Sequence, residues 1–215
     1  MIRFLNLFQF IPFINRLIER KYYATGLGTY VLNSIFKVVF RINSGKFLFH
    51  FTSRATNTNK IFIVGDNKQS VYLSLATSGG CYYQAINGIE IGGGTIWSYN
   101  CSFISANHSF SDLKSHDNVA PIKIGNGVWL GSNVVVLPSV TIGSNSIIGA
   151  GSVVSKSIPK NSIVGGVPAK IIGNIDEFSN RAMKNWVSED DMNYRLSYEE
   201  RIIEICDSEF KPCLK

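Results

Sequence analysis

The stretch IGNGVWLGSNVVVLPSVTIGSNSIIGAGSVVSKSIP, residues 124–159, divides into six units of six residues. The first place of every unit is aliphatic, and the second is glycine in four of the six. The first-place residues are Ile124, Leu130, Val136, Ile142, Ile148 and Val154. The fourth place holds a small or turn-tolerant residue in every unit, namely Gly127, Asn133, Ser139, Asn145, Gly151 and Ser157. Neither an α-helix nor an ordinary amphipathic strand repeats at six residues.

A coil with three flat faces has this period. Each face is a short strand, and each corner needs a residue that tolerates the left-handed backbone region, as glycine and asparagine do. We expect one large aliphatic side chain per face to point into the narrow interior. The repeat therefore predicts a parallel β-helix.

The period continues upstream, but it is interrupted twice. Residues from Ala85 to Phe103 fall in sixes, and Trp97 at one of the first places is predicted to lie in the core. The intervals from Val64 to Ala85 and from Phe103 to Ile124 are each 21 residues, which is half a unit out of phase. A coil cannot absorb half a unit, so each interval predicts an excursion. The second excursion contains ISANHSF and thus His108.

The flanking segments differ from the repeat in composition. We predict a basic and aromatic N-terminal region over 1–60, a β-helix over 61–175 with an extruded loop at about 106–121, and a helical C-terminal cap over 176–215. Residues 30–42, YVLNSIFKVVFRI, are compatible with a strand or a buried helix. The fold class is therefore all-β with α appendages.

Charge and cysteine content limit the functional classes. Residues 1–60 hold nine Lys and Arg against the single acid Glu19, whereas the remaining 155 residues carry a net charge of −2. Such a basic excess attracts an anionic membrane, an acidic glycan or nucleic acid, or it is a solubilising surface. The four cysteines form no CxxC pair, which favours a reducing cytoplasm.

The first twenty residues, MIRFLNLFQFIPFINRLIER, are apolar and aromatic. Polar residues and a proline interrupt them before they reach the length of a membrane span, and no small-residue cleavage site of a secretory signal follows. A helix lying on the membrane or a helix packed on the protein body are the two interpretations.

The segment GVWLGSNVVVLPSVTIGSNSIIGAGSVVSKSIPKNSIVGGVPAKII, residues 127–172, resembles the C-terminal half of the hexapeptide-repeat acyltransferases, the group with galactoside and maltose acetyltransferases. The likeness covers about residues 60–175. The upstream segments HFTSR, QAINGIEIG and ISANHSF resemble the branch that O-acetylates bacterial capsule and O-antigen polysaccharides. That branch commonly has an acid after its histidine, where this chain has Ser109.

The resemblance implies a left-handed coil, a homotrimer, and acetyl-CoA bound without a metal in the groove between neighbouring subunits. It implies that His108 is the catalytic base and that Trp129 lines the active site for both substrates. The other implied contacts to acetyl-CoA are Ser132, Ala150, Ser155, Lys156 and Lys170.

The chemistry is compatible with these residues. Acetyl transfer from a thioester to a hydroxyl needs a base, and an imidazole can accept a proton near neutral pH. Transfer can be direct, without an acyl-enzyme. His116 lies in the same excursion and is a candidate for acceptor binding, or it is solvated, whereas His50 in LFHFTSR is expected to be structural.

We therefore predict a cytoplasmic acetyl-CoA-dependent O-acetyltransferase of a surface glycan, with peripheral contact to the inner membrane and no nucleic-acid partner. The alternatives within the fold are N-acetylation of an amino sugar, acetylation of a small xenobiotic, and a zinc hydratase using the three histidines. The alternative outside enzymes is a β-helix that only binds a glycan.

Overall fold

The computed structural model describes residues 26–176. They form two α-helices, α1 (Leu27–Val38) and α2 (Lys68–Thr77), one turn of 3-10 helix (Thr58–Lys60) and fourteen short strands. The first seven strands are β1 (Arg54–Thr56), β2 (Ile61–Val64), β3 (Tyr82–Gln84), β4 (Ile89–Gly92), β5 (Ile96–Trp97), β6 (Ser102–Ile104) and β7 (Ile122–Ile124). The others are β8 (Trp129–Leu130), β9 (Val135–Val136), β10 (Thr141–Ile142), β11 (Ile147–Ile148), β12 (Val153–Val154), β13 (Ser162–Gly165) and β14 (Lys170–Asn174).

The strands form three sheets, which are the three faces of the coil. Sheet A has the order β1-β3-β6-β9-β12, sheet B the order β2-β4-β7-β10, and sheet C the order β5-β8-β11-β13-β14. All pairs are parallel except β13 with β14. In the central turns a residue pairs with one 18 positions later, as Val135 does with Val153, whereas the spacing is 20 between β3 and β6 and 16 between β11 and β13. The predicted left-handed parallel β-helix is confirmed.

The hexapeptide pattern places its apolar residues in the interior. All six first-place side chains from Ile124 to Val154 are buried. The fifth-place residues are buried as well, so the expectation of one inward side chain per face is wrong. The fifth places are Val128, Val134, Val140, Ser146, Ser152 and Ile158. Most of these side chains are small, and they fill the interior space next to each corner that the strand residues do not reach.

Aromatic side chains fill the other end of the coil. Tyr83 and Phe103 stack with ring centroids 5.3 Å apart, and Trp97 meets both rings edge-on. The Trp97 indole N–H donates to the Tyr83 hydroxyl at 2.8 Å, so both polar atoms are satisfied in the core. The prediction that Trp97 is a core residue is confirmed.

Corner geometry explains which residues occupy the fourth place of the repeat, and packing between turns explains the glycines at the second place. Five of the six fourth-place residues have positive φ, and only Ser157 does not. The second-place glycines serve close packing between turns, because a Cβ on Gly143 would lie 2.3 Å from the backbone nitrogen of Lys160. A Cβ on Gly131 would lie 2.7 Å from the nitrogen of Ala150.

Both predicted interruptions are present, but only one is extruded. The first contains α2, which takes the place of a sheet C strand in the first turn and packs on β5. The second, residues 105–121, leaves the coil between sheets A and B. Of the segment 30–42, which is compatible with a strand or a buried helix, residues 30–38 are helical as part of α1. Most of the predicted C-terminal cap lies outside the described residues.

Candidate active site

The second interruption folds as a small antiparallel ribbon, residues 107–117, which we call the histidine ribbon. His108 and His116 form an antiparallel bridge, and the Ser109 N–H donates to the Ser115 carbonyl at 3.0 Å. The Ser115 N–H closes the turn by donating to the Asp112 carbonyl at 2.9 Å. The loop therefore has internal backbone pairing that fixes the histidines relative to each other.

One side chain of the preceding turn holds the base of the ribbon. The Asn87 amide group donates to the carbonyl oxygens of Ser105 at 3.0 Å and of Asp117 at 2.8 Å. These two carbonyls lie where the chain leaves the coil and where it returns. Sequence reasoning missed Asn87. The available signal was the QAING segment, which makes the corner between β3 and β4 longer than a later one between sheets A and B. Tyr83 and Ile91 are eight positions apart, whereas the residues at the same register, Val136 and Ile142, are six apart.

The two histidines of the ribbon lie side by side. Their ring centroids are 4.4 Å apart with an interplanar angle of 34°, His108 is exposed and His116 is half-buried. Ser109, which replaces the acid of the resembled branch, shares a hydrogen bond with Ser111 at 2.9 Å between the hydroxyl oxygens. The group that contacts the His108 ring is therefore the His116 ring.

Trp129 lies on the outer surface of sheet C. Its side chain is 51% exposed, whereas the next residue, Leu130, points into the core. The strand register places it between Ile96 and Ile147, so this face of the coil carries an apolar column. On sheet B the corresponding outward residues include the ion pair of Glu90 with Lys123, at 3.5 Å. Trp129 thus belongs to the more apolar of these two outer faces.

The small residues assigned to acetyl-CoA contact lie at one corner, between sheets C and A. Ser132 and Ala150 lie on successive turns, and the Ser132 carbonyl accepts the Gly151 N–H at 2.8 Å. The Ser132 hydroxyl shares a hydrogen bond with that of Ser98 at 2.7 Å. Stacking of small residues leaves the backbone of this corner accessible along the coil axis.

The remaining predicted contacts are spread over other parts of the coil. Ser155 and Lys156 lie at the corner between sheets A and B, the corner from which the histidine ribbon also emerges, and both are exposed. Lys170 is the first residue of β14, at the edge of sheet C, and is exposed too. Neither lysine has an ion-pair partner among residues 26–176.

One chain does not bring all predicted site residues together. His108 emerges at the corner between sheets A and B, whereas Trp129 points outward from sheet C, the face opposite that corner. The two side chains therefore lie on different sides of one coil.

His50 is separate from the ribbon and has structural contacts. Its backbone N–H donates to the Leu75 carbonyl at 2.8 Å, and its Nδ1 lies 2.8 Å from the Thr52 hydroxyl. Burial lowers the pKa of His50 below 6.5. Within 26–176 no group of three metal-ligating side chains is found, and His50 is not near the paired histidines.

The described cysteines are in the interior of the coil. Cys81 and Cys101 occupy neighbouring turns, and both are buried. A hydrogen bond from the Cys101 thiol lowers the pKa of Cys81 to about 7, and the same contact and burial raise that of Cys101. Because both thiols are buried in the interior, neither is placed to carry an acyl group.

Comparison with known proteins finds a hexapeptide-repeat family that matches part of the coil. Residues 121–156 match the family described as bacterial transferase hexapeptide (six repeats). The chain is also similar to galactoside O-acetyltransferase of Escherichia coli (strain K12), with 58% identity over 57 residues, which are 26% of this chain and 28% of that protein. The chain thus spans less than a third of the length of this curated relative.

Solved structures with the hexapeptide repeat are also similar. An acetyltransferase from Vibrio cholerae O1 biovar eltor, complexed with acetyl coenzyme A, is 28% identical, with a TM-score of 0.44 over 57% of this chain and 64% of that chain. A maltose O-acetyltransferase from Clostridium difficile 630 is 30% identical, with a TM-score of 0.40 over 58% of this chain and 60% of that chain.

Proposed function

We propose that the protein is an acetyl-CoA-dependent O-acetyltransferase that acts on a hydroxyl of a bacterial surface glycan. The observation that carries the proposal is the histidine ribbon, which presents an exposed His108 from the side of a hexapeptide coil. The relative named galactoside O-acetyltransferase supports the reaction class and a sugar acceptor.

In the proposed reaction the acceptor oxygen attacks the thioester carbonyl carbon directly. His108 accepts the hydroxyl proton as the new C–O bond forms, the C–S bond breaks, and the proton is passed to the leaving thiolate. General-base catalysis of this kind contributes about 10²–10⁴-fold. Backbone N–H groups at the coil corner near Ser132 and Ala150 are candidates to stabilise the developing oxyanion.

His116 is proposed as a positioning residue. Its ring contacts the His108 ring, and the backbone bridge between the two residues holds them opposite each other along the ribbon. A contacting pair of aromatic rings contributes about 0.5–1.5 kcal/mol beyond its buried area.

The acetyl-CoA site is proposed to lie between two copies of the coil. In one chain His108 and Trp129 face different sides, so a homotrimer would let each active site combine the ribbon of one subunit with the sheet C face of its neighbour. Exposed Lys156 and Lys170 are suited to phosphate groups as point charges. Since the donor is a CoA thioester, we propose a cytoplasmic reaction.

The test is transfer of labelled acetyl groups from acetyl-CoA to a panel of neutral sugars, amino sugars, aromatic amines and polysaccharides. We expect O-acetylated sugar or polysaccharide, with activity reduced about 10²–10⁴-fold in His108→Ala. His50→Gln is the matched control, because His50 lies away from the ribbon, and it should retain activity.

The other outcomes discriminate the alternatives. Transfer to amines alone would replace the proposal with an N-acetyltransferase of an amino sugar or of a small xenobiotic. Full activity of His108→Ala would remove the proposed base. Glycan binding without transfer to any acceptor would identify a non-catalytic β-helix.

A further inference from the structure

Helix α1 contacts the body of the protein through a side that combines apolar packing with hydrogen bonds. Its buried residues are Tyr30 and Asn33. The Asn33 amide donates to the Ala76 carbonyl at 2.9 Å, and its oxygen accepts the Phe51 N–H at 2.9 Å. Tyr30 packs with Leu48 and Ala76 in a small apolar cluster, so packing and hydrogen bonds together hold this side of the helix.

The opposite side of α1 is apolar and exposed. We call it the outer face of α1 and define it, with the two residues that follow the helix, as Leu27, Val31, Leu32, Ile35, Val38, Val39 and Phe40. The exposed fractions of these side chains range from 38% to 74%. The spacing of three, four and seven residues places the helical members on one side. The only charged residue of α1, Lys37, is not on this face and donates to the carbonyls of Gly45 and Phe47.

A contiguous apolar surface of this kind is unusual on a soluble protein, and such surfaces mark contact sites for partners or membranes. The surrounding charge indicates which contact. Between Glu19 and Asp66 the sequence contains no acidic residue. The same part of the described chain carries five cations, namely Lys37, Arg41, Lys46, Arg54 and Lys60.

We propose that the outer face of α1 docks on an anionic lipid bilayer. The helix would lie in the plane of the interface, with its apolar side chains in the headgroup boundary and with Arg41, which directly follows Phe40, near lipid phosphates. No helix within 26–176 is long and apolar enough to cross a membrane, which suits surface attachment. A second copy is a poorer occupant, because pairing two identical faces would bring two acid-free basic segments together.

This inference is independent of the acetyl-transfer proposal and concerns a different surface. The first test is flotation of the full chain with vesicles of phosphatidylcholine alone or mixed equally with phosphatidylglycerol. We expect binding to the mixed vesicles only, and weaker binding at high salt. The triple variant Val31→Gln, Ile35→Gln, Val38→Gln should bind at least about tenfold less, since three apolar side chains no longer favour burial.

The matched control is Phe62→Gln with Val64→Gln, two similarly exposed apolar residues of β2. This variant should bind vesicles like the unmodified protein. Full binding by the triple variant, or no binding to either vesicle, would overturn the proposal. Self-association that the triple variant abolishes, without vesicle binding, would assign the face to a second copy and overturn it too.

If the triple variant does not fold, a second measurement tests whether the outer face of α1 contacts the lipid. The single replacements Val31→Trp and Phe62→Trp add an indole at the outer face of α1 or on sheet B. Brominated lipids should quench the fluorescence of Val31→Trp more than that of Phe62→Trp. Equal quenching of the two proteins would contradict docking through α1.

Discussion

The two interruptions of the coil occupy equal intervals of sequence, but they differ in burial. The side chains of Val71, Leu75 and Ala76 in α2 are fully buried. In the histidine ribbon the side chain of Phe110 is fully exposed and that of Leu113 is 72% exposed. One interruption completes the core, and the other leaves it.

The position along the coil explains the difference. Helix α2 lies in the first turn, where sheet C has no strand before β5, so the helix covers an open end of the core. The ribbon follows β6, which is paired with β3 on one side and β9 on the other. Since neighbouring turns fill the space on both sides, the surplus residues project outward. An inserted segment is thus structural at the end of the coil and available for chemistry in its middle.

The largest expected effect separates the two interruptions by stability. Leu75→Ala in α2 should reduce the free energy of unfolding by about 2–5 kcal/mol, because it removes a fully buried side chain. Phe110→Ala in the ribbon should change it by less than about 0.5 kcal/mol. Chemical denaturation followed by circular dichroism measures both. Equal losses would mean that the ribbon is part of the core.

The next comparison uses two asparagines, each of which lies outside an interruption and binds its backbone. Asn33 binds the Ala76 carbonyl at the end of α2, and Asn87 binds the two carbonyls at the base of the ribbon. Asn33→Ala should cost about 1–3 kcal/mol of stability, because buried partners lose their hydrogen bonds. Asn87→Ala should instead lower acetyl transfer by about tenfold to a hundredfold, because it releases the ribbon that positions His108.

Parallel denaturation and transfer assays test this pair. Asn118→Ala, at an exposed position of the same interruption, is the control and should change neither quantity. If Asn87→Ala lost stability and activity in the same proportion as Asn33→Ala, the ribbon would not be a separately positioned element.

The sequence was sufficient for the regular part of the coil. Residues such as Leu130 and Asn133 each have one place in a repeat of six, and the structure gives them a buried strand and a left-handed corner. It also located both interruptions. It could not distinguish their shapes, because whether an inserted segment is buried depends on which strands neighbour it. The contacts of Asn87 were missed for the same reason, since they join residues 18 and 30 positions apart.

A smaller effect is expected within the ribbon. His116→Ala removes the ring that contacts His108 and should lower kcat by up to about tenfold, as expected for loss of one aromatic pair. His116→Phe keeps a ring at the same place and should restore most of kcat. KM for the acceptor should change less than kcat in both variants. Equal loss of kcat in the Phe and Ala variants would show that the imidazole nitrogens of His116 are required, and not the contact of its ring with His108.

The smallest effect distinguishes the histidine near α2 from those of the ribbon. The Thr52 N–H donates to Nδ1 of His50 at 3.3 Å, so this nitrogen is an acceptor in the folded chain. Burial lowers the pKa of His50 in the folded state below 6.5, whereas the unfolded chain keeps the ordinary value. As the pH falls through 6.5, the unfolded chain therefore takes up a proton that the folded chain does not.

Stability should consequently decrease between about pH 7.5 and pH 5.5, and part of that decrease should be absent in His50→Gln. The measured quantity is the difference in unfolding free energy between the two proteins at each pH. His108, His116 and the carboxylates are common to both, so their titration cancels. A difference that does not depend on pH would mean that His50 titrates alike in the folded and unfolded chains, and its distinction from the exposed histidine of the ribbon would rest on location alone.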